Sequence, residues 1–225
     1  QPGGNASSSN PASLTEVNGI VFFTANDGSS GVELWRSDGS DTGTVLVRDI
    51  KSGGDSNPLN LTEVNGTLYF QADDGINGIE LWSSDGTSTG TVLVKNIRSG
   101  GGSSRPSNFT EVNGILYFTA NDGNGIELWK SDGTAVGTVL VKDINAGIGD
   151  SNPAYLTEVD GILFFQANDG SNGTQLWKSD GTSTGTVLVQ NINVGGDSNP
   201  QHLTAVNGIL FFSADDGING RELWI

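Results

Sequence analysis

At 225 residues, with no cysteine, the chain can carry neither disulfides nor thiolate chemistry. Its 26 acidic against 10 basic residues give a net charge of −16, which repels phosphate backbones and anionic membrane surfaces and so argues against nucleic acid as a partner. No apolar run approaches the roughly 18 residues needed to cross a membrane, which argues against membrane insertion.

Residues 1–13 form a Gly/Asn/Ser-rich lead-in. From residue 14 the chain repeats itself. The Trp of a Leu-Trp pair recurs at Trp35, Trp82, Trp129, Trp177 and Trp224, at spacings of 47, 47, 48 and 47. The opening apolar residue keeps the same beat at Leu14, Leu61, Phe109, Leu156 and Leu203. The repeats are therefore 14–60, 61–108, 109–155, 156–202 and 203–225, together one domain over 14–225.

Within the repeat 61–108, Leu61 to Val64 predicts a short first strand and Asn65-Gly66 a two-residue hairpin turn. Thr67 to Ala72 predicts the second strand, Asp73 to Gly78 a turn, and Ile79 to Ser84 the third strand. Asp85 to Gly90 predicts another turn and Thr91 to Ile97 a fourth strand, before a Gly/Ser/Asn/Pro loop leads to the next copy. The unbroken apolar runs, Leu-Tyr-Phe in the second strand and Val-Leu-Val in the fourth, predict burial on both faces. Sheets of four antiparallel strands sandwiched between like sheets are the blades of a β-propeller. The expected fold is all-β, a five-bladed β-propeller whose fifth blade lacks its outer strand, because that copy stops inside its third strand.

The string Glu127-Leu128-Trp129-Lys130-Ser131-Asp132-Gly133-Thr134 resembles the signature of the ELWxxDGT repeat family. The same pattern stands at Glu80 to Thr87, with near matches at Glu33 to Ser40 and Gln175 to Thr182, and a shortened copy at Glu222 to Trp224. The resemblance covers residues 14–225 and implies β-propeller-like repeats in a secreted, extracellular or cell-surface protein of bacteria. It brings no catalytic residues with it.

Shared polar residues are candidates for function. Asp27, Asp74, Asp122, Asp169 and Asp216 precede Gly between strands two and three. They read either as turn caps or as calcium ligands, and calcium wants six to eight oxygens, more than Asn26-Asp27-Gly28 offers alone. No cofactor is required, and calcium is the one metal these loops suggest. Asp38, Asp85, Asp132 and Asp180 read as turn residues. The inter-repeat loops present Asp55 and Asn57, Asp150 and Asn152, and Asp197 and Asn199. On the usual propeller path these share a face with the Asp-Gly turns, and such groups suit a hydroxyl-rich ligand. Glu16, Glu63, Glu111 and Glu158 stand on the first strand, where Ala205 breaks the series, and read as solvated strand ends. The Trp residues read as packing between blades rather than sugar platforms. His202, the single histidine, is placed in a variable loop.

Three functions follow. The first is a non-enzymatic extracellular module that binds glycans or a surface protein through replicated loop sites, with avidity offsetting weak single contacts. The second is a structural or assembly element that self-associates through the incomplete fifth blade. A glycosidase ranks last, since that chemistry needs two carboxylates in different environments and the copies present the same acids.

Overall fold

The computed structural model describes residues 8–225; residues 1–7 of the lead-in lie outside the described part. The regular elements are all β-strands, grouped in five antiparallel meanders. The first is β1 (Ala12–Val17), β2 (Ile20–Asn26), β3 (Val32–Ser37) and β4 (Val45–Arg48). The second is β5 (Leu59–Val64), β6 (Thr67–Asp73), β7 (Ile79–Ser84) and β8 (Val92–Lys95). The third is β9 (Ser107–Val112), β10 (Ile115–Asn121), β11 (Ile126–Ser131) and β12 (Val139–Lys142). The fourth is β13 (Ala154–Val159), β14 (Ile162–Asn168), β15 (Thr174–Ser179) and β16 (Val187–Gln190). The fifth has three strands, β17 (Gln201–Val206), β18 (Ile209–Asp215) and β19 (Arg221–Trp224). Each meander opens two residues before its sequence repeat, so Ala12 and Ser13 of the lead-in are already strand.

Turn chemistry explains the hairpins. Asn18-Gly19 and Asn65-Gly66 have φ of 51° and 81°, and 51° and 79°, the paired positive values that a two-residue hairpin turn requires. Glu16 and Glu63 Oε1 accept the amides of Gly19 and Gly66 at 2.5 and 2.6 Å, which caps those turns. The strand-end glutamates therefore have a structural task, and Glu158 repeats it on Gly161 at 2.6 Å.

The chain divides into two compact units, Gln1–Ser107 and Asn108–Ile225. In the first unit, Val17, Phe22, Leu34, Val47 and Ile50 pack against Leu68, Phe70, Ala72 and Trp82 of the next meander. In the second, Val112, Tyr117, Leu128, Val141 and Ile144 pack in the same way against Leu163, Phe165, Ala167 and Trp177. The next interface there joins Val159, Leu176 and Ile192 to Leu210, Phe212 and Ala214, with Trp224 against it. Trp82, Trp177 and Trp224 thus pack between sheets, as expected of strands covered on both faces, while Trp35 packs against Phe23 and Ala25 of its own meander. The second strands β6 and β10 are buried on both faces at Leu68-Tyr69-Phe70 and Leu116-Tyr117-Phe118, whereas in β14 and β18 the second face, with Phe164 and Phe211, is half-buried. The fourth strands depart from expectation. Val94 and Val141 are buried, but Val92, Val187 and Val189 are exposed. A bulge stands in every β3–β4 type pair, such as the shift between Leu81↔Lys95 and Trp82↔Leu93, in buried and exposed copies alike, whereas Val189 borders a hollow lined by Leu210, Phe212 and Trp224 of the fifth sheet.

A second bulge lies in the first hairpin of each meander, for example between Ala154↔Gln166 and Thr157↔Phe164. At this bulge Ser13, Asn60, Asn108, Tyr155 and His202 take φ of 54°, 58°, 56°, 57° and 56°. His202 is therefore a strand residue rather than a loop residue.

Candidate functional site

The Asp-Gly turns between strands two and three are closed by their own side chains. Asp27 Oδ1 accepts the Ser29 and Ser30 amides at 2.8 and 2.7 Å, while Asn26 Oδ1 accepts the Gly28 amide at 2.7 Å. In the second, fourth and fifth copies, Asp74, Asp169 and Asp216 engage both carboxylate oxygens. Oδ1 accepts two backbone amides, and Oδ2 accepts the Nδ2 of Asn77, Asn172 or Asn219 at 2.7 Å. Asp122 sits in a turn one residue shorter and accepts the Asn124 amide at 2.9 Å. The amides of Ser30 and Ser29 hold the Asp27 carboxyl below its ordinary range. Burial pushes Asp74 and Asp169 up, but donation from the Asn77 and Asn172 amides prevails and both lie below that range. Among the described residues no group of three or more His, Asp or Glu side chains is placed to hold a metal ion.

The inter-repeat loops fold onto these turns. A Cβ on Gly31, Gly78 or Gly125 would lie 2.4, 2.5 or 2.1 Å from the carbonyl oxygen of Gly54, Gly102 or Gly149, so only glycine permits the approach. Asp55, Asp150 and Asp197 Oδ1 accept the first amides of the neighbouring third strands, Val32, Ile126 and Thr174, at 2.7, 2.7 and 2.6 Å. Asn57, Asn152 and Asn199 adopt φ of 46°, 47° and 43° and donate their amides to Val32, Ile126 and Thr174 O. Within a copy the predicted loop residues are thus brought to the Asp-Gly turn, with Oδ1 of each aspartate turned into the scaffold.

Beneath these loops lies a feature the composition did not announce. Glu33, Glu80 and Glu127 of the Glu-Leu-Trp strings are buried. Glu80 accepts the amides of Ile97, Arg98 and Ser104 at 2.9, 3.3 and 3.0 Å and the Ser104 hydroxyl at 2.6 Å. Glu33 and Glu127 do the same on Ile50 with Ser56 and on Ile144 with Ser151. Burial pushes all three carboxyls above their ordinary range, against the opposing pull of these donors. In the fourth copy Gln175 occupies the position. Its Oε1 accepts the Ile192 amide at 3.0 Å, and its Nε2 donates to the carbonyls of Asn172, Asn193 and Gly196. Strand parity is the signal that could have found them, since Glu80 stands on the same face of β7 as the buried Trp82.

In the second unit a cleft of about 470 Å³ opens between β9 and β13, lined by Asn108, Phe109, Thr110, Tyr155, Leu156 and Gln166 among others. It contains aromatic and amide groups and no charge. Asn108 Nδ2 donates to Pro153 O and Thr119 Oγ1, both at 3.3 Å, and the Phe109 ring meets Phe118 edge-on at 5.9 Å. A larger hollow of about 620 Å³ in the first unit is lined mainly by an apolar sheet surface with Leu14, Val21 and Phe23.

No protein-family model matches this chain, and no curated protein matches it. Solved structures do resemble it. A puromycin hydrolase matches at 13% identity and a TM-score of 0.54, over 93% of this chain and 34% of that one. A structure from a study of two prolyl endopeptidases matches at 13% identity and a TM-score of 0.51, over 87% of this chain and 29% of that one. This chain thus spans about a third of the length of those proteins. An α-L-arabinofuranosidase from Clostridium thermocellum matches at 17% identity over 91% of this chain and 80% of that one, but at a TM-score of 0.36 the likeness carries no argument. The resemblance bears on fold alone: the chain is all-β, with the blade architecture of β-propeller proteins and a three-stranded last blade.

Proposed function

We propose that this chain is a non-enzymatic, extracellular repeat module that binds hydroxyl-rich ligands, glycans above all, on a rigid scaffold. The observation that carries the reading is the use of the shared acids. In copy after copy they close turns or fasten loops, and the three with raised pKa sit buried among backbone donors. A glycosidase needs one carboxyl held ready as acid beside a second, differently tuned one. Repetition favours many weak equivalent contacts. The ELWxxDGT resemblance supports an extracellular setting, and among the described residues no helix is long and apolar enough to cross a membrane. Display of the protein at high density on a glycan array tests the reading: neutral glycans are expected to bind, and an empty array refutes it. Turnover of a panel of aryl glycosides refutes the non-enzymatic part.

A further inference from the structure

We propose that the cleft between β9 and β13 seats a neutral saccharide ring, so that ligand recognition lies at this first-strand bulge and not on the acidic loops. The inference rests on the binding-module reading and locates its site.

The five copies supply the first argument. The bulge position holds Ser13, Asn60, Asn108, Tyr155 and His202, five residues of four kinds, while the next four positions keep Leu or Phe, then Thr, then Glu or Ala, then Val. All five share the left-handed backbone, a conformation that bulky side chains rarely adopt. Packing does not ask for a tyrosine there, and the Tyr155 side chain is half-exposed. A bulge re-aims a side chain, and backbone strain of this kind gathers at binding sites.

An orphaned atom points the same way. Facing each bulge on the second strand stands a polar residue. In the first and fifth copies it is short, and the hydroxyls of Thr24 and Ser213 donate to the carbonyls of Ala12 and Gln201 across the bulge. In the fourth copy it is Gln166, which lines the cleft, and its Oε1 is buried with no hydrogen-bond partner. A buried acceptor left unpaired is unfavourable, so an incoming O–H donor gains by satisfying it.

The walls of the cleft have matching chemistry. Phe109 and Tyr155 offer apolar ring surface, Asn108, Thr110 and Gln166 offer amide and hydroxyl groups, and no lining side chain is charged. At about 470 Å³ the cleft falls in the roughly 300–1,000 Å³ range of small-molecule sites. A sugar ring matches this lining: its C–H face lies on an aromatic ring, and its hydroxyls donate to the unpaired amide oxygen. An anionic ligand finds no cation here.

Saturation-transfer NMR with cellotetraose, maltotetraose and xylotetraose as probes tests the site. The parent protein is expected to transfer saturation to at least one of them. Tyr155→Gly removes the ring and relaxes the backbone at φ 57°, so it is expected to weaken that binding about tenfold or more while melting at or above the parent temperature. If the glycine variant does not fold, Tyr155→Asn, which carries the residue of two sister copies, takes its place. Gln166→Thr, which introduces the side chain that Thr24 and Thr119 already carry, is expected to weaken binding severalfold. Unchanged binding in both Tyr155 and Gln166 variants overturns the proposal, as does a parent that contacts none of the three probes. Glycan-array hits that survive both substitutions leave the module reading standing and remove this cleft from it; an empty array removes both.

Discussion

Glu80 provides the sharpest test of how the repeats are joined. Its carboxylate gathers four donors from the loop that leads to the next copy, and three of them belong to residues that are buried, Ile97 and Ser104. In Glu80→Ala those donors lose their acceptor. A buried unsatisfied group costs about 1–3 kcal/mol. Ser104 Oγ has a second acceptor in Ile79 O at 3.5 Å, so two amides bear most of the loss, about 3–5 kcal/mol in all. For a chain of this size that lowers Tm by about 6–20 °C. Glu80→Gln is expected to behave differently, because Gln175 shows how a neutral amide fits. It keeps one strand-end amide on Oε1 and turns Nε2 to three carbonyls. The cost expected is about 1 kcal/mol or less, within a few degrees of the parent. Thermal melts by circular dichroism at pH 7 read both variants. If the alanine variant melts within about 2 °C of the parent, or the glutamine variant melts as low as the alanine one, the carboxylate is not what fastens the loop.

Stability should also carry a pH signature of opposite slopes. Glu33, Glu80 and Glu127 have folded pKa values raised above 4.5, so their contribution is full below about 4.5 and is lost as pH rises through the folded values. The turn aspartates have folded values below 3.8, so theirs is present above about 3.8 and is lost as pH falls through the folded values. Urea midpoints measured from pH 3 to 8 are expected to peak in mildly acid solution, and Glu80→Gln should flatten the decline on the alkaline side. Gly90→Ala places a Cβ 2.1 Å from Asp85 Oδ1 and drives that carboxylate off the Thr87 amide and hydroxyl. A loss of about 1 kcal/mol, seen as a drop in Tm of about 2–4 °C, is expected, and an unshifted melt would falsify the steric argument. Millimolar calcium is expected to leave Tm unchanged, since Asp74, Asp169 and Asp216 already use both oxygens within their turns. A calcium-dependent rise of several degrees would show that the ion displaces those amides.

The strands and hairpins were legible because their causes are local. Asn65-Gly66 can satisfy two successive positive φ values, and the unbroken run Leu68-Tyr69-Phe70 puts apolar side chains on both faces of one strand. The acidic loops were half legible. Asp55 and Asp197 do gather near the Asp-Gly turns, but a sequence does not say whether an oxygen faces solvent or the amide of Val32 or Thr174. The buried Glu80 was hidden by its type, since a charged residue reads as surface until its donors are seen. The bulge at Tyr155 was hidden for the opposite reason: no glycine marks it, and a tyrosine in the left-handed region is not something propensity anticipates.

Because Leu or Phe, Thr and Val after each bulge hold the register whatever side chain stands on it, these five sockets are interchangeable parts. Swapping the occupants of positions 13, 60, 108, 155 and 202 alters what the surface can touch and leaves the hairpins beneath unmoved. Gene duplication that lengthens or shuffles such an array therefore explores new specificities without first having to rediscover a foldable sheet.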